Sequence, residues 1–273
     1  MKRILLFLLL AALLVTPVSA ASDTKTDLRL PIVMYHHLSP KKKLQGDYVL
    51  SPDELEADLQ YLREHGYESI TTKQLIGWSR GEVQLPEKPV MITFDDGYES
   101  TLVYAGPLLE KYGFQAVVAV IGSAADLFSE KRDHMLDYSY LAWDAIRDIS
   151  HGDTFEVQCH TYTMHKLNTR KGCGKIMGEG YTDYRKKLTE DLTRFRDKCA
   201  AEDVQLTDTI AFPYGVYSDE TISIIKELGF AAAFTCTERV NHLTGDPDEL
   251  YELRRFNRPP GFSSEKFFSK WED

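Results

Sequence analysis

Two adjacent carboxylates, Asp95 and Asp96, follow the apolar run Val90–Phe94 and precede Gly97. A short β-branched and aromatic run of this kind reads as a buried strand. Successive side chains on a strand face opposite ways. Both carboxylates can therefore address one site only where the strand gives way to a turn, which Gly97 permits. The C-terminal end of a buried strand is where an α/β enzyme sets a metal ligand beside a general base. A plain Asp-Gly turn with Asp96 capping the next helix is the bland alternative. A second group of chemically capable residues, His160 and His165, follows the strand-like Thr154–Gln158. Positions i and i+5 lie roughly 140° apart on an α-helix. If both imidazoles bind one ion, their segment is a loop or distorted turn. Two neutral imidazoles and one carboxylate, with positions left for water, make a catalytic rather than a structural site.

Such strand ends need a scaffold, and the chain alternates strand-like and helix-like segments throughout. Leu30–His37 reads as a strand. Ser51-Pro52-Asp53-Glu54 opens a helix to His65, with Ser51 as N-cap and Glu54 completing a capping box. Further strands are expected at Glu68–Thr71, Gln115–Ile121, Thr209–Phe212 and Ala231–Thr235. Helices are expected at Thr72–Arg80, Glu99–Tyr112, Ala142–Ile149, Tyr181–Ala201 and Asp219–Leu228. Leu253–Phe256 reads as a last strand and Ser263–Trp271 as a closing helix. Repeated strand–helix units imply parallel strands with helices outside. The expectation is an α/β fold, a distorted or incomplete (β/α) barrel of about seven parallel strands, with a doubly wound sheet as the rival. Either puts its site at the strand C-termini. Gly172–Gly180, with glycine at 172, 174, 178 and 180, reads as a surface insertion or a mobile loop.

The N-terminus has the form of an export signal. Lys2 and Arg3 precede an apolar core from Ile4 to Val15 and the small-residue site Val18-Ser19-Ala20. The core is short for a bilayer span of about 20 residues. The expected organisation is a cleaved signal over 1–20, a linker over 21–29 and one catalytic domain over 30–273. No stable membrane span would remain, and the protein would be secreted or held at the cell surface. The signal holds two of the 32 basic residues and none of the 42 acidic ones, so its removal makes the chain more acidic than its formal −10. That balance disfavours nucleic acid and anionic lipid as partners, Lys41-Lys42-Lys43 being a local exception that reads as a solvated loop. Cys159, Cys173, Cys199 and Cys236 permit disulfides in an oxidising compartment. A bridge from Cys159 to Cys173 and four free thiols are both open. The chain carries no signal for its oligomeric state.

Thr93-Phe94-Asp95-Asp96-Gly97, the later His160-Thr161-Tyr162 and Phe212-Pro213-Tyr214-Gly215, in that order, resemble the polysaccharide deacetylases of the NodB-homology type, carbohydrate esterase family 4. The resemblance covers about Leu30 to Pro260. It implies a distorted (β/α) barrel and metal-dependent removal of N-acetyl groups from a GlcNAc-containing polymer, the expected partner. By the same resemblance, Asp95 is the general base, and Asp96, His160 and His165 hold one divalent transition metal ion. Zinc is the first expectation, with cobalt, nickel or iron as alternatives. Tyr214 matches the position whose backbone N–H holds the oxyanion, with Pro213 shaping that turn and lying beside substrate.

Three departures from the family pattern carry information. The His residues are five apart rather than four, as in the exopolysaccharide branch that acts on poly-β-1,6-N-acetylglucosamine. The Arg that usually orients the base is replaced by Ala211, and an Arg from elsewhere could substitute; Arg254 and Arg255 are the candidates, with Arg255 preferred and surface charge the alternative for both. The late His that supplies the general acid is missing, and the permuted position in Met34-Tyr35-His36-His37 points to His36. In an extended strand end only one of His36 and His37 should reach the site. Trp143 resembles a family element beside the active site, and Tyr162 offers an aromatic face to a sugar; core packing is the alternative for both. A peptidoglycan deacetylase of the same mechanism is one rival reading. A carbohydrate-binding protein that has lost turnover, motivated by Ala211, is another.

Overall fold

The apolar runs form parallel strands because both of their faces are covered, which suits continuous rather than alternating hydrophobicity. The computed structural model describes residues 27–167 and 170–271; the expected signal over 1–20 lies outside them. Eight parallel strands line one curved sheet: β1 (Ile32–Tyr35), β2 (Glu68–Ser69), β3 (Pro89–Phe94), β4 (Ala116–Val120), β5 (Phe155–Cys159), β6 (Leu206–Ala211), β7 (Ala232–Phe234) and β8 (Phe256–Asn257). Seven follow the order β7-β6-β5-β4-β3-β1-β8, and β2 pairs with the start of β3. The two ends of that path are joined by the segment 253–257. Leu253 bridges Phe234, while Phe256 and Asn257 pair with Val33 and Met34 of β1. The result is the distorted parallel barrel expected from the alternation.

Helices α1 (Pro52–Glu64), α2 (Thr72–Ser79), α3 (Gly106–Tyr112), α4 (Gly122–Lys131), α5 (Trp143–Ser150), α6 (Tyr181–Ala201), α7 (Asp219–Glu227) and α8 (Ser264–Phe268) complete the units. The capping box of α1 forms as read, with the Ser51 hydroxyl accepting from Glu54 N–H. Helix α4 is missing from the sequence reading because its N-cap, Ile121, offers no side-chain acceptor. The helix expected over Glu99–Tyr112 starts there, with Glu99 and Ser100 helical, then passes through a π-helical turn over Thr101–Ala105 and returns to α from Gly106. A strand over Leu28–Leu30 starts inside the expected linker, because it pairs antiparallel with Asn241–Leu243. Among the described residues no helix is long and apolar enough to cross a membrane. All four cysteines are free thiols.

Strand alternation sorts the core into two layers. Val33, Ile92, Phe94, Val118, Val157 and Ile210 face the helices, and Ile32, Met91, Val117, Ala119, Ala211 and Phe234 fill the barrel. That parity governs the site. On β3 the inward set runs Met91, Thr93 and then Asp95; on β1 it runs Ile32, Met34 and then His36.

Candidate active site

A cavity of about 1010 Å³ opens at the C-terminal ends of the strands, lined by His36, Asp95, Asp96, His160, His165 and Tyr214 among others. Asp95 follows the inward parity of β3. Asp96 would face outward in a continued strand, but its backbone has φ 73°, and this left-handed turn brings its carboxylate back to the same cavity. The turn therefore begins at Asp96 itself, with Gly97 (φ 77°) continuing it.

Asp96 Oδ1 lies 3.4 Å from His160 Nε2 and 3.2 Å from His165 Nε2. One ligand atom from each of the three residues lies within 4.8 Å of the others. His160 Nδ1 is 2.8 Å from the Ala211 carbonyl oxygen, which can only accept, so Nδ1 carries the proton and the Nε2 lone pair faces Asp96. Tyr214 Oη stands 3.2 Å from His165 Nδ1, where the hydroxyl can accept from an Nδ1–H and so leave Nε2 free toward Asp96. Asp96 Oδ1 is buried and has no hydrogen-bond partner among the described residues. Leaving such an atom unpaired is costly, and a cation between the three groups would satisfy it. The donor set therefore fits a divalent metal ion. Despite burial, the adjacent His160 and His165 imidazoles hold the Asp96 carboxyl far below its ordinary pKa.

The loop carrying both His residues is not helical, as their spacing required. Thr161 adopts φ 68°, uncommon for a β-branched residue. Two elements hold the loop. Buried Asp191 of α6 accepts from Tyr162 N–H (2.7 Å), Thr163 N–H (2.8 Å) and Thr163 Oγ1 (2.6 Å). The first turn of α4 donates from Gly122 N–H to the Thr161 carbonyl and from Ser123 N–H to that of Tyr162, so loop carbonyls stand in for a cap. Sequence reasoning missed both, since Asp191 sits in a highly charged helix that offers no local signal.

Of the two arginines expected to substitute for the one absent at Ala211, Arg255 is the one that meets Asp95. Its guanidinium donates to both carboxylate oxygens of Asp95, at 2.7 and 2.8 Å, and to Thr93 Oγ1 at 3.2 Å. Parity decides between the candidates: Leu253 and Arg255 point inward, and Arg254 is exposed. Burial pushes the Asp95 carboxyl up, but Arg255 and His160 outweigh it and hold it below the ordinary value. His36 reaches the same cavity, with Nδ1 buried and without a hydrogen-bond partner among the described residues. Burial lowers its pKa against the opposing pull of Asp95 and Asp96.

Other expectations need correction. His37 also lines the cavity, its Nδ1 2.9 Å from Ser100 Oγ, because the chain past β1 bends into a short pairing of His37–Leu38 with Val49–Leu50. Trp143 and Tyr162 do not line it. Trp143 is buried with Nε1 on Asp126, and Tyr162 is buried with its hydroxyl on the same carboxylate and the Arg194 guanidinium over its ring. Pro213 is buried beneath the turn rather than at the cavity wall, and Tyr214 takes φ 59°, which aims its ring at His165. The glycine-rich segment is anchored: Cys173 N–H donates to the Val216 carbonyl, and a Cβ at Gly172 would meet the Pro213 oxygen at 2.4 Å.

A sequence profile described as polysaccharide deacetylase matches residues 82–233. The chain is 26% identical over 224 residues to the poly-beta-1,6-N-acetyl-D-glucosamine N-deacetylase of Escherichia coli (strain K12), covering 74% of this chain and 33% of that protein. It thus spans about a third of that relative's length. It is 23% identical over 237 residues to the enzyme of the same name from Staphylococcus aureus (strain MRSA252), covering 87% and 76%. Among solved structures, IcaB from Ammonifex degensii superposes with a TM-score of 0.70 at 25% identity, covering 86% of this chain and 93% of that one. The Streptococcus pyogenes deacetylase PplD in complex with acetate gives 0.71 at 23% identity, covering 91% and 100%, a likeness of fold.

Proposed function

The chain belongs to the polysaccharide deacetylase family, and we propose that it is a metal-dependent N-deacetylase of a β-1,6-linked N-acetylglucosamine polymer. The observation that carries this reading is the meeting, in one cavity, of the Asp96–His160–His165 donor set with a buried carboxylate, Asp95, held ionised by Arg255. The five-residue His spacing, the early position of His36 and the named relatives support the exopolysaccharide substrate.

Asp96, His160 and His165 would hold a divalent ion, which when bound would supply Lewis acidity toward the acetyl carbonyl and lower the pKa of water; zinc, cobalt, nickel and iron all suit the donors. Asp95 accepts the proton of the attacking water. Arg255 keeps the carboxylate ionised and fixes its plane, so the base needs no reorganisation at the moment of reaction. The Tyr214 backbone N–H serves the developing oxyanion. His36 delivers a proton to the departing amine, burial holding its pKa below the ordinary value despite the pull of Asp95 and Asp96, so that its imidazolium gives the proton up readily. Acetate and a free glucosamine amine leave. The pairing of Arg255 with Asp95 despite Ala211 weighs against a binder without turnover.

We further propose export through residues 1–20, which N-terminal sequencing of the secreted chain checks. The decisive test of function is acetate release by the metal-loaded protein from β-1,6-linked GlcNAc oligomers, chitooligosaccharides and peptidoglycan. Release that is greatest on the first and lost in Asp95→Asn is expected. Preference for peptidoglycan would move the substrate, and no release from any glycan would sink the reading.

A further inference from the structure

Resting on that reading, we propose that Tyr48 is the stacking platform for the pyranose ring whose amide is cleaved. The cavity is lined by five tyrosines, at 48, 98, 138, 140 and 214. Four of them are already engaged. Tyr98 and Tyr140 stack on each other at 4.4 Å and share a hydroxyl–hydroxyl bond. Tyr214 faces His165, with the Lys171 ammonium over its ring. Tyr138 donates its hydroxyl to Asp133 and tilts against Phe128.

Tyr48 differs from all of these. It is 60% exposed, and no hydrogen bond of its hydroxyl is formed among the described residues. Its one ring contact there is edge-on, with His36 at 4.9 Å and 66° between planes. An edge-on contact leaves the aromatic faces free. Keeping a large apolar face in water is unfavourable, and the usual remedy, folding it against the core, is blocked by the backbone. Tyr48 O accepts from His37 N–H at 3.1 Å, Gly46 and Val49 exchange backbone bonds at 2.8 and 3.2 Å, and Asp47 O accepts from Asn257 Nδ2 at 3.0 Å. The segment is also tied to the far wall by Lys41 on Asp137. The ring is thus presented rather than stranded, and a rigid aromatic with two side-chain torsions loses little entropy on binding.

Position sets the occupant. A ring centroid 4.9 Å from His36 adjoins the imidazole that protonates the amine, so the surface it meets belongs to the sugar bearing that amine. The C–H face of a pyranose suits an aromatic face, and the free hydroxyl is not required. Tyr48 thereby takes the part that sequence reasoning gave to Tyr162, which is buried.

The test is steady-state acetate release from a β-1,6-linked GlcNAc pentamer by wild type, Tyr48→Ala and Tyr48→Phe, with metal content measured for each. Tyr48→Ala is expected to raise KM about tenfold with kcat little altered, a loss of ground-state binding. Tyr48→Phe should keep both constants near wild type at equal metal content. The proposal is overturned if Tyr48→Ala keeps the wild-type KM. It is equally overturned if the loss falls on kcat alone, which would mean action through His36, or if Tyr48→Phe fails as badly as Tyr48→Ala. A wild type that releases no acetate would sink the deacetylase reading and this inference with it, whereas an active wild type with an indifferent Tyr48→Ala sinks the platform alone.

Discussion

Two buried arginine–aspartate pairs hang from the segment that closes the barrel, one at Arg255 and one at Arg258. Both are almost wholly removed from water, where each ion costs several kcal/mol to desolvate and must be repaid by partners. Asp58 of α1 is sealed. It accepts from Arg258 Nε (2.9 Å) and Nη2 (3.1 Å), from the Tyr35 hydroxyl (3.0 Å) and from Ser264 Oγ (2.6 Å). Arg258 further donates to the carbonyls of Pro259 and Phe262. Among the described residues the Asp95 carboxylate accepts from Arg255 alone, and it opens onto the cavity. The same chemical pair is architecture where every lone pair is used and, in the proposed mechanism, machinery where some are kept for a proton.

The sharpest way to break that comparison is by rate. Asp95→Asn should lower acetate release by about 10²- to 10⁴-fold, whereas Asp58→Asn should keep kcat near wild type wherever it remains folded. Loss of kcat in the Asp58 variant would erase the distinction. Stability comes next. Arg255→Met and Asp58→Asn each leave a buried group uncompensated, and urea denaturation should show losses of about 3–5 kcal/mol for both. Only Arg255→Met should also lose rate.

Metal removal separates the pairs more gently. Chelation should lower the melting temperature, and metal at a hundredfold its Kd should restore about 2.7 kcal/mol. Asp58→Asn should retain that increment and Asp96→Asn should lose most of it; equal increments in the two would argue that Asp96 is no ligand. The smallest effect is on pH dependence. Because the Asp95 carboxyl is held below its ordinary value, the unfolded chain binds its proton more tightly than the folded one. The contribution to stability is then fully present above the unfolded value of about 3.9 and is lost as pH falls through the folded value. Melting temperatures of wild type and Asp95→Asn should converge on acidification, and a constant gap would mean Asp95 is not held ionised.

Much of this arrangement was legible in particular residues. The Ser51–Glu54 box marked α1, and α6 begins and ends where its composition indicated, at Tyr181 and Ala201. Helix α4 was invisible because its first N–H groups are satisfied by loop carbonyls distant in sequence rather than by a local cap. Trp143 and Tyr162 were read as substrate neighbours by type and position, yet both turn to Asp126, a partner that no local pattern announces. Tyr48 went unmarked for the opposite reason, since an isolated exposed tyrosine carries no periodic signal.

Local grammar by itself determined the parallel strand–helix units, the inward parity of Asp95 and the placement of His160 at a strand end. These depend on alternation, caps and turns that act over a few residues. Tertiary structure alone decided which arginine meets Asp95. Arg255 lies 160 residues from Asp95 along the chain, and only closure of the barrel by Leu253 and β8 brings the two together. It also decided that Asp96 turns back toward His160 and His165, through a left-handed backbone that the surrounding hydrogen bonds hold in place. Short-range preference sets which face a residue shows, and long-range closure sets what that face meets.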